Sequence, residues 1–475
     1  MVARAPYRIG FIVDHPTRDL TGGILLAAAL ARRGIETALV PQYEQGVDVP
    51  LLALDALVVN YARPVNLELV QSFAAAGIAV YVLDTEGGVL AERGHSSPER
   101  LAAYVRDSGY GGALAGYLFW GPVLHRAFVE NGAMPPERLH LTGCPRFDPY
   151  APALRELEPA RRRGHVLINT NYPLVNPKFV KGPGGDRAAV SSVGYDDAFI
   201  DRLFASTAEV MAAVVATVER LSRDLPDQPF VLRPHPFENP DTYHRSLGGL
   251  PNVTVDPSGP VFDALHGARA LLHLNCGTAI EALMLGVPPL ALEFANVDTL
   301  RDHASLPSRA SLGVASYDEL VARLRGDDPG AGLDIAAKYE EVAAPYFYRN
   351  DGLAAERVAE VLAAGCAARE AEPPRPRLGL SLAASRPSPR LSQRLQSWTA
   401  NLVGSAAAGA ARAALQPIRK GKEFAPSEIA GRLAALAAFR DEAAPLAGRA
   451  RHPLTGVPLA STLVAPARAT QGLAA

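Results

Sequence analysis

Three things that this chain has little of set the first limits on it. Cysteine is scarce: Cys144, Cys276 and Cys366 are the only three in 475 residues, too few and too scattered for a disulfide framework or a zinc cluster, and a reducing cytoplasm fits. Net charge is nearly absent, because 47 Lys and Arg face 49 Asp and Glu for a balance of -2. That balance gives no overall electrostatic case for nucleic acid, so any phosphate must be bound locally. Long apolar runs are missing too. The opening residues hold only a few apolar positions before Asp14, which is too short for a signal segment and reads as a first β-strand. Apart from one Ala-rich tail segment, no stretch approaches the roughly twenty uncharged apolar residues of a transmembrane helix. What remains is a soluble globular protein, 48% hydrophobic, long enough for two or three domains with full-sized cores.

Strand and helix patterns alternate along the chain. Apolar runs and Gly/Pro punctuation predict strands at Arg8–Val13, Glu36–Val40, Leu54–Asn60 and Ile78–Leu83, with helices at Gly22–Arg33 and Asn66–Ala76. Pro98–Arg106, Leu114–Trp120, Pro122–Glu130 and Leu139–Thr142 keep the rhythm, which implies a parallel sheet covered on both faces. A turn-forming run at Thr142–Asp148, followed by the charge-dense Glu156–Arg163, marks a domain junction. A second alternation then gives strands at His165–Asn171, Phe230–Arg233, Val253–Val255, Ala270–Asn275 and Pro289–Glu293, with a long helix at Asp197–Leu221 and closing helices across Lys338–Gly365. The expected layout is a Rossmann-like domain over 1–148, a linker over 149–164 and a second Rossmann-like domain over 165–368. A Pro/Arg-rich linker over 369–397 and an Ala-rich helical or disordered tail over 398–475 follow.

The organising stretch is Phe230-Val-Leu-Arg-Pro-His-Pro-Phe-Glu238, answered by His273-Leu-Asn-Cys-Gly-Thr-Ala-Ile-Glu281. Each reads as a short strand that stops abruptly before a helix, the place where open α/β sheets bind ligands. Pro234 and Pro236 stiffen the turn around His235, and the next helix start is expected to turn its N–H groups toward an anion. Gly277 lets backbone approach a ligand, Thr278 offers a hydroxyl at a helix start, and Glu281 one turn on suits ribose hydroxyls. His235 can hydrogen-bond a phosphate oxygen and stabilise the charge on a leaving nucleotide, with no metal needed. Against this stand plainer roles: a structural histidine, a capping threonine, a first-turn acid. His273 and Cys276 hint at a metal, but no further ligands sit at zinc spacing.

Arg-Pro-His-Pro, the Gly-Thr helix start and Glu281-Ala-Leu-Met-Leu-Gly-Val-Pro288 together resemble the nucleotide-binding half of GT-B glycosyltransferases. The likeness is to bacterial surface-carbohydrate and capsule enzymes with a His-Pro motif, to bacterial sialyl- and Kdo-transferases and to teichoic-acid polyol-phosphate transferases. It covers residues 7 to 365 in layout and rests on three or four short motifs. It implies an α/β, GT-B-like fold of two Rossmann-like domains facing a cleft. It implies also a nucleotide-sugar donor, CMP- or CDP-linked, with Arg233, His235, Pro236, Gly277, Thr278 and Glu281 on the donor side, and no cofactor. A glycan or lipid-linked acceptor would take the sugar, in a cytoplasmic enzyme of surface-polysaccharide assembly.

The first half supplies the acid. Asp84-Thr85-Glu86-Gly87-Gly88 closes a strand, so Asp84 and Glu86 stand at a carboxyl edge where either can be a general base, and the glycines permit a tight loop. The stretch resembles the acidic-acidic-Gly motif of the sialyltransferases. Thr85 interrupts that pattern, and Glu86, directly before Gly87, matches best. A strand-end turn with solvated acids is the plain alternative. Asp14, His15 and Thr21-Gly22-Gly23 could line the acceptor pocket, with a helix cap at Thr21 as the simpler account. A loop from Pro173 to Gly194 carries Lys178, Lys181 and Arg187 and reads either as a lid over a sugar nucleotide or as a surface loop. A polyol-phosphate transferase would need a second histidine, for which His15, His266 and His273 are candidates. In the tail, Trp398–Leu415 precedes Arg419, Lys420 and Lys422. Peripheral contact with an anionic inner membrane is one reading and a helical tail with too little apolar bulk to anchor is the other. A third possibility is a non-catalytic assembly protein that keeps the fold.

Overall fold

The structure is a computed structural model that describes residues 7–87, 97–157, 160, 162–179, 187, 196–303, 305–368, 402–415, 419 and 421–467. Its fold class is α/β, with two separate, mainly parallel sheets, as the alternation requires. The chain divides into two compact units. One holds the described residues up to 149, except position 97, together with those from 347 on; the other holds 150–346 and position 97.

In the first unit β1 (Arg8–Val13), β2 (Glu36–Pro41), β3 (Ala56–Val59), β4 (Ala79–Leu83), β5 (Leu114–Phe119) and β6 (Leu139–Leu141) lie parallel in the order β2-β1-β3-β4-β5-β6. Their apolar runs are buried nearly end to end because helices cover both faces. Gly10 is needed on β1, since a Cβ there would come within 2.6 Å of the Leu54 side chain. The first helix, Pro16–Arg32, begins earlier than the pattern indicates. His15 is its N-cap and Pro16 its first residue, where a missing N–H costs nothing. Thr21 therefore lies inside the helix and caps nothing. Gly22 serves close packing, because a Cβ there would stand 2.6 Å from the Arg146 backbone nitrogen.

In the second unit β7 (Val166–Asn169), β8 (Phe230–Arg233), β9 (Val253–Val255), β10 (Ala270–His273), β11 (Pro289–Ala291) and β12 (Leu312–Gly313) form a parallel sheet ordered β12-β11-β10-β7-β8-β9. Leu167 on β7 pairs with Val231 of β8 on one side and with Leu271 of β10 on the other. The long helix Asp197–Asp224, capped by Asp196 on the Phe199 N–H, buries Ile200, Leu203, Val210, Val214, Val218 and Leu221. Much of the core of this unit is built on that stripe.

Two stretches go elsewhere than the sequence indicates. The helix Ala354–Ala367, expected to close the second unit, belongs to the first. Asp148 accepts from the N–H groups of Ala354 (2.9 Å) and Ala355 (2.7 Å) at its head. Its Gly365 leaves room for the Tyr81 hydroxyl, which a Cβ would overlap. The tail is helical at Ser405–Leu415 and Pro426–Arg440, but it continues as a hairpin, β13 (Leu446–Arg451) and β14 (Pro458–Ala465). β14 pairs antiparallel with β2, Leu463 opposite Ala38, and extends the first sheet to eight strands. Buried Asp48 accepts from the Ser461 N–H (2.9 Å) and hydroxyl (2.6 Å) to fix that junction. Ile429, Leu433, Leu459 and Val464 are fully buried, each such side chain contributing about 1.5–3 kcal/mol. The tail, expected to be helical or disordered, thus also supplies two strands to the first sheet. Among the described residues no helix is long and apolar enough to cross a membrane.

Candidate functional site

Both sheets have a topological switch point, where successive crossovers leave in opposite directions and a gap opens at the carboxyl edge. In the second unit it falls between β7 and β10, which are neighbours. The residues flanking it are Asn169 at the end of β7 and Thr278 at the start of the helix Thr278–Leu285, joined by a 3.0 Å bond from the Asn169 amide to the Thr278 hydroxyl. Asn169 Oδ1 is buried with no protein partner. Such an atom costs about 1–3 kcal/mol and is tolerated where a ligand or water completes it. The backbone bends here at Asn275, whose φ of 54° is left-handed; Gly277, expected to let the backbone approach a ligand, is the N-cap of the helix with φ −57°. Asn275 is held by Asn296 (3.3 Å) and Ser308 (3.2 Å).

One strand over, β8 ends in the Arg233-Pro-His-Pro turn. No helix follows directly: a turn intervenes, and the helix Pro240–Leu247 begins later, capped by Asn239 on the Asp241 N–H. The expected run of helix N–H groups beside His235 is therefore absent. What holds His235 is local. Its Nδ1 accepts from the Phe237 N–H at 3.2 Å, which places the ring proton of the neutral form on Nε2. Its own N–H donates to Glu238 at 3.1 Å. Glu238, 1% exposed, accepts also from Thr170 (2.9 Å), from the Tyr172 N–H (3.0 Å) and from the Tyr243 hydroxyl. One carboxylate thus ties the loop after β7 to the loop after β8. Sequence reasoning quoted this glutamate and gave it no role, although an acid three residues after a histidine turn was the available signal.

Other expected donor-side residues are placed differently. Arg233 is buried and spends its guanidinium on the carbonyls of Ser258 (2.5 Å) and Gly259, so it braces a loop. Glu281 is 5% exposed and accepts the Tyr150 hydroxyl at 3.0 Å, which removes it from the ribose role. Pro236 is exposed in the turn. Lys178 is exposed, its backbone N–H bonded to the Phe237 carbonyl at 2.7 Å. Lys181 and most of the expected lid lie outside the described residues, and Arg187 pairs with Asp197 and Asp201. His273 is buried, accepts the Cys276 N–H (3.3 Å) and contacts the Ser311 hydroxyl (2.8 Å). Burial pushes its pKa down to about 4, so it is a neutral structural imidazole. His266 packs on Phe262. Among the described residues no group of three His, Cys, Asp or Glu is placed to hold a metal.

In the first unit the switch point lies between β1 and β3. After β1, Asp14 pairs with Arg18, which also grips Asp19 (2.9 Å), while Asp19 accepts the His15 N–H (2.9 Å). Burial, Lys422 and Arg18 together lower the His15 pKa to about 4, and its Nδ1 meets the Thr17 hydroxyl at 2.7 Å. After β4, Asp84 is 1% exposed and bound to Arg63 (2.7 Å), the Tyr117 hydroxyl (3.3 Å) and the Glu86 N–H (3.0 Å). It anchors the turn and is not disposed to act as a base. Glu86 is exposed, and its charge is felt by both Arg18 and Arg63. Gly87 lies against the Trp120 ring, which a Cβ would meet at 3.3 Å; Gly88 lies outside the described residues. Beneath the turn is a cavity of about 20 Å³, lined by Asp84, Trp120, Gly22 and Arg146 among others, room for one water.

No protein-family model matches the sequence, and no curated protein matches it. Solved structures do. The UDP-GlcNAc 2-epimerase of Methanocaldococcus jannaschii, seen with UDP-GlcNAc and UDP, is 12% identical over 75% of this chain and 99% of its own, at a TM-score of 0.45. The wall teichoic acid polymerase TagF, seen with CDPG, is 11% identical over 78% and 91%, at 0.49. MnaA of S. aureus, seen with UDP, is 13% identical over 78% and 99%, at 0.46. These scores fix neither substrate nor reaction.

Proposed function

We propose that the chain is a nucleotide-sugar-dependent glycosyltransferase of surface-polysaccharide assembly, with the donor nucleotide held at the carboxyl edge of the second sheet. The observation that carries this is the switch point between β7 and β10, where the Asn169 amide holds the Thr278 hydroxyl and the buried Asn169 Oδ1 has no protein partner, with the His235 turn at the end of the neighbouring strand β8. Polar groups at the carboxyl edge of a parallel sheet suit phosphate oxygens and ribose hydroxyls. In the reaction, an acceptor hydroxyl attacks the anomeric carbon, the bond from that carbon to the phosphate oxygen breaks, and the nucleotide leaves with both electrons. By the motif resemblance, the hydroxyl proton is assigned to Glu86 and the charge on the departing phosphate to His235. No metal enters this reading. The motif resemblance favours a CMP-linked acidic sugar.

Phosphoryl transfer from a CDP-linked polyol is the second reading. It is disfavoured because His273, one of the candidates for its second histidine, is buried and neutral with both ring nitrogens engaged. A thermal-shift screen with CMP, CDP, UDP and GDP tests the proposal. A nucleotide at a hundred times its Kd stabilises the native state by about 2.7 kcal/mol. The largest shift is expected with CMP; no shift with any of the four would overturn the reading.

A further inference from the structure

The C-terminal segment reaches into the switch point of the first sheet. Lys422 follows the helix Ser405–Leu415 and its Nζ lies 3.1 Å from Asp14 Oδ1, at the end of β1. It is 8% exposed. Asp14 is the hub of that edge: its other oxygen takes Arg18, Arg18 holds Asp19, and Asp19 holds the backbone of His15. Burial acts against the charge on Arg18, but Asp19 and Asp14 outweigh it, with Glu86 adding to the same pull. Arg419 stands 4.6 Å over the Tyr43 ring and 3.6 Å from Glu44, both in the turn that follows β2. Of the basic residues that read as a membrane contact in the sequence, Arg419 and Lys422 are thus turned onto carboxylates of the same chain, and Lys420 lies outside the described residues.

A lysine needed only to fasten the tail has no reason to be here. Fastening is achieved elsewhere, by the pairing of β14 with β2, by Asp48 on Ser461, and by Arg432 on the Thr21 hydroxyl (2.6 Å). Lys422 instead goes to the edge where doubly wound sheets bind their ligands. There it sits beside a carboxylate that would otherwise have a single cationic partner in a half-buried place, where an unmatched charge is costly.

We propose that Lys422 is a positioning residue of the ligand site on the first unit: by gripping Asp14 it fixes the short connection from β1 to the first helix, where His15 stands and just before the helical turn that carries Arg18, so the C-terminal segment is part of the site. The proposal rests on the reading of this edge as the acceptor side. The acceptor that fits is a neutral polyhydroxylated one, since the cations Lys422, Arg18 and Arg63 are already matched by Asp14, Asp19 and Asp84. The charged groups around His15 are Lys422 from the tail, Asp14 beside it, and Arg18 and Asp19 from the first turn of the helix it caps; Glu86 comes from the loop after β4 and acts on Arg18.

Lys422→Met keeps the apolar stem and removes the charge. Two readouts on the full chain, neither using nucleotide, decide the matter. In an NMR titration the His15 midpoint is expected to rise by about one unit, because a repelling cation is gone; Lys422→Arg should restore it. In hydrogen exchange, amides 15–19 should lose protection while the strands Leu446–Arg451 and Pro458–Ala465 keep theirs. Asp14→Asn, which breaks the same pair from the other side, should give the same exchange pattern and guards against a failure of the first variant to fold. An unmoved His15 midpoint, or exchange that spreads to the tail strands while 15–19 stays protected, would overturn the proposal and make Lys422 a peg for the tail. A failed nucleotide screen would leave these results untouched.

Discussion

At the switch point of the first sheet, charged groups are joined into a chain: Lys422 to Asp14, Asp14 to Arg18, Arg18 to Asp19, with Asp84 on Arg63 next door. At the switch point of the second sheet the groups at the edge are neutral, Asn169, Thr278 and His235, and the nearby carboxylate of Glu238 is buried on four donors. The two edges obey one topological rule and are finished with different chemistry. An ion-paired edge holds its own shape and leaves one exposed acid, Glu86, to react. A neutral edge with an unsatisfied acceptor waits for a polar ligand to complete it.

The largest effect that separates the two edges is expected from Glu86→Gln. It should cost about a hundred- to ten-thousand-fold in transfer, the usual worth of general-base help, with nucleotide affinity and melting temperature unchanged. Asp84→Asn should fail differently, by a lower melting temperature, since it leaves Arg63 beside a buried amide. Native transfer by Glu86→Gln would return the first edge to a structural role.

Next in size is Glu238→Gln in the other unit. An amide NH2 facing the N–H and hydroxyl donors of Thr170, Tyr172, His235 and Tyr243 leaves at least one unsatisfied, a loss of about 1–3 kcal/mol. Calorimetry should show a lower melting temperature together with loss of the nucleotide-induced shift. A normal shift in this variant would mean that the loop after β8 is not positioned through Glu238.

A smaller test uses pH. His273 has a folded pKa lowered to about 4 by burial, below its ordinary 6.5. Its contribution is intact above 6.5 and lost as pH falls toward 4, because the unfolded chain takes up the proton first. Asp148 in the first unit has the opposite sign. Burial raises its pKa to about 7 against the lowering by the Ala355 and Ala354 amides, so its contribution is intact below about 4 and lost as pH rises to about 7. Thermal melts of His273→Asn and Asp148→Asn across pH 4 to 8 should each lose one of these slopes. Identical slopes in both variants would contradict the assignment.

Much of this was legible in the sequence. Strands such as Phe230–Arg233 and Val253–Val255, and the helix Pro122–Glu130, fall where apolar runs and Pro place them, because a strand buried on both faces must be apolar throughout. His235 and Thr278 reach a sheet edge for the same reason: each follows a strand that stops. The misses were long-range. Leu446–Arg451 reads Leu-Ala-Gly-Arg-Ala-Arg and has no strand signal of its own; it is a strand because β14 found the open side of β2. The helix Ala354–Ala367 carries nothing that says which sheet it returns to, and Asp148, far back in the chain, supplies the answer. Arg233 and Glu281 matched a binding motif by residue type, while burial and the partners Ser258, Gly259 and Tyr150 decided their roles.

The central claim is that nucleotide is held by the neutral edge of the second sheet, and the most direct test is calorimetric titration of CMP into His235→Ala and Glu86→Gln side by side. The account predicts that His235→Ala weakens binding by about tenfold or more, the loss of one hydrogen bond to a charged group, while Glu86→Gln binds as the native chain does. Native affinity in a folded His235→Ala, or a loss confined to Glu86→Gln, would contradict it.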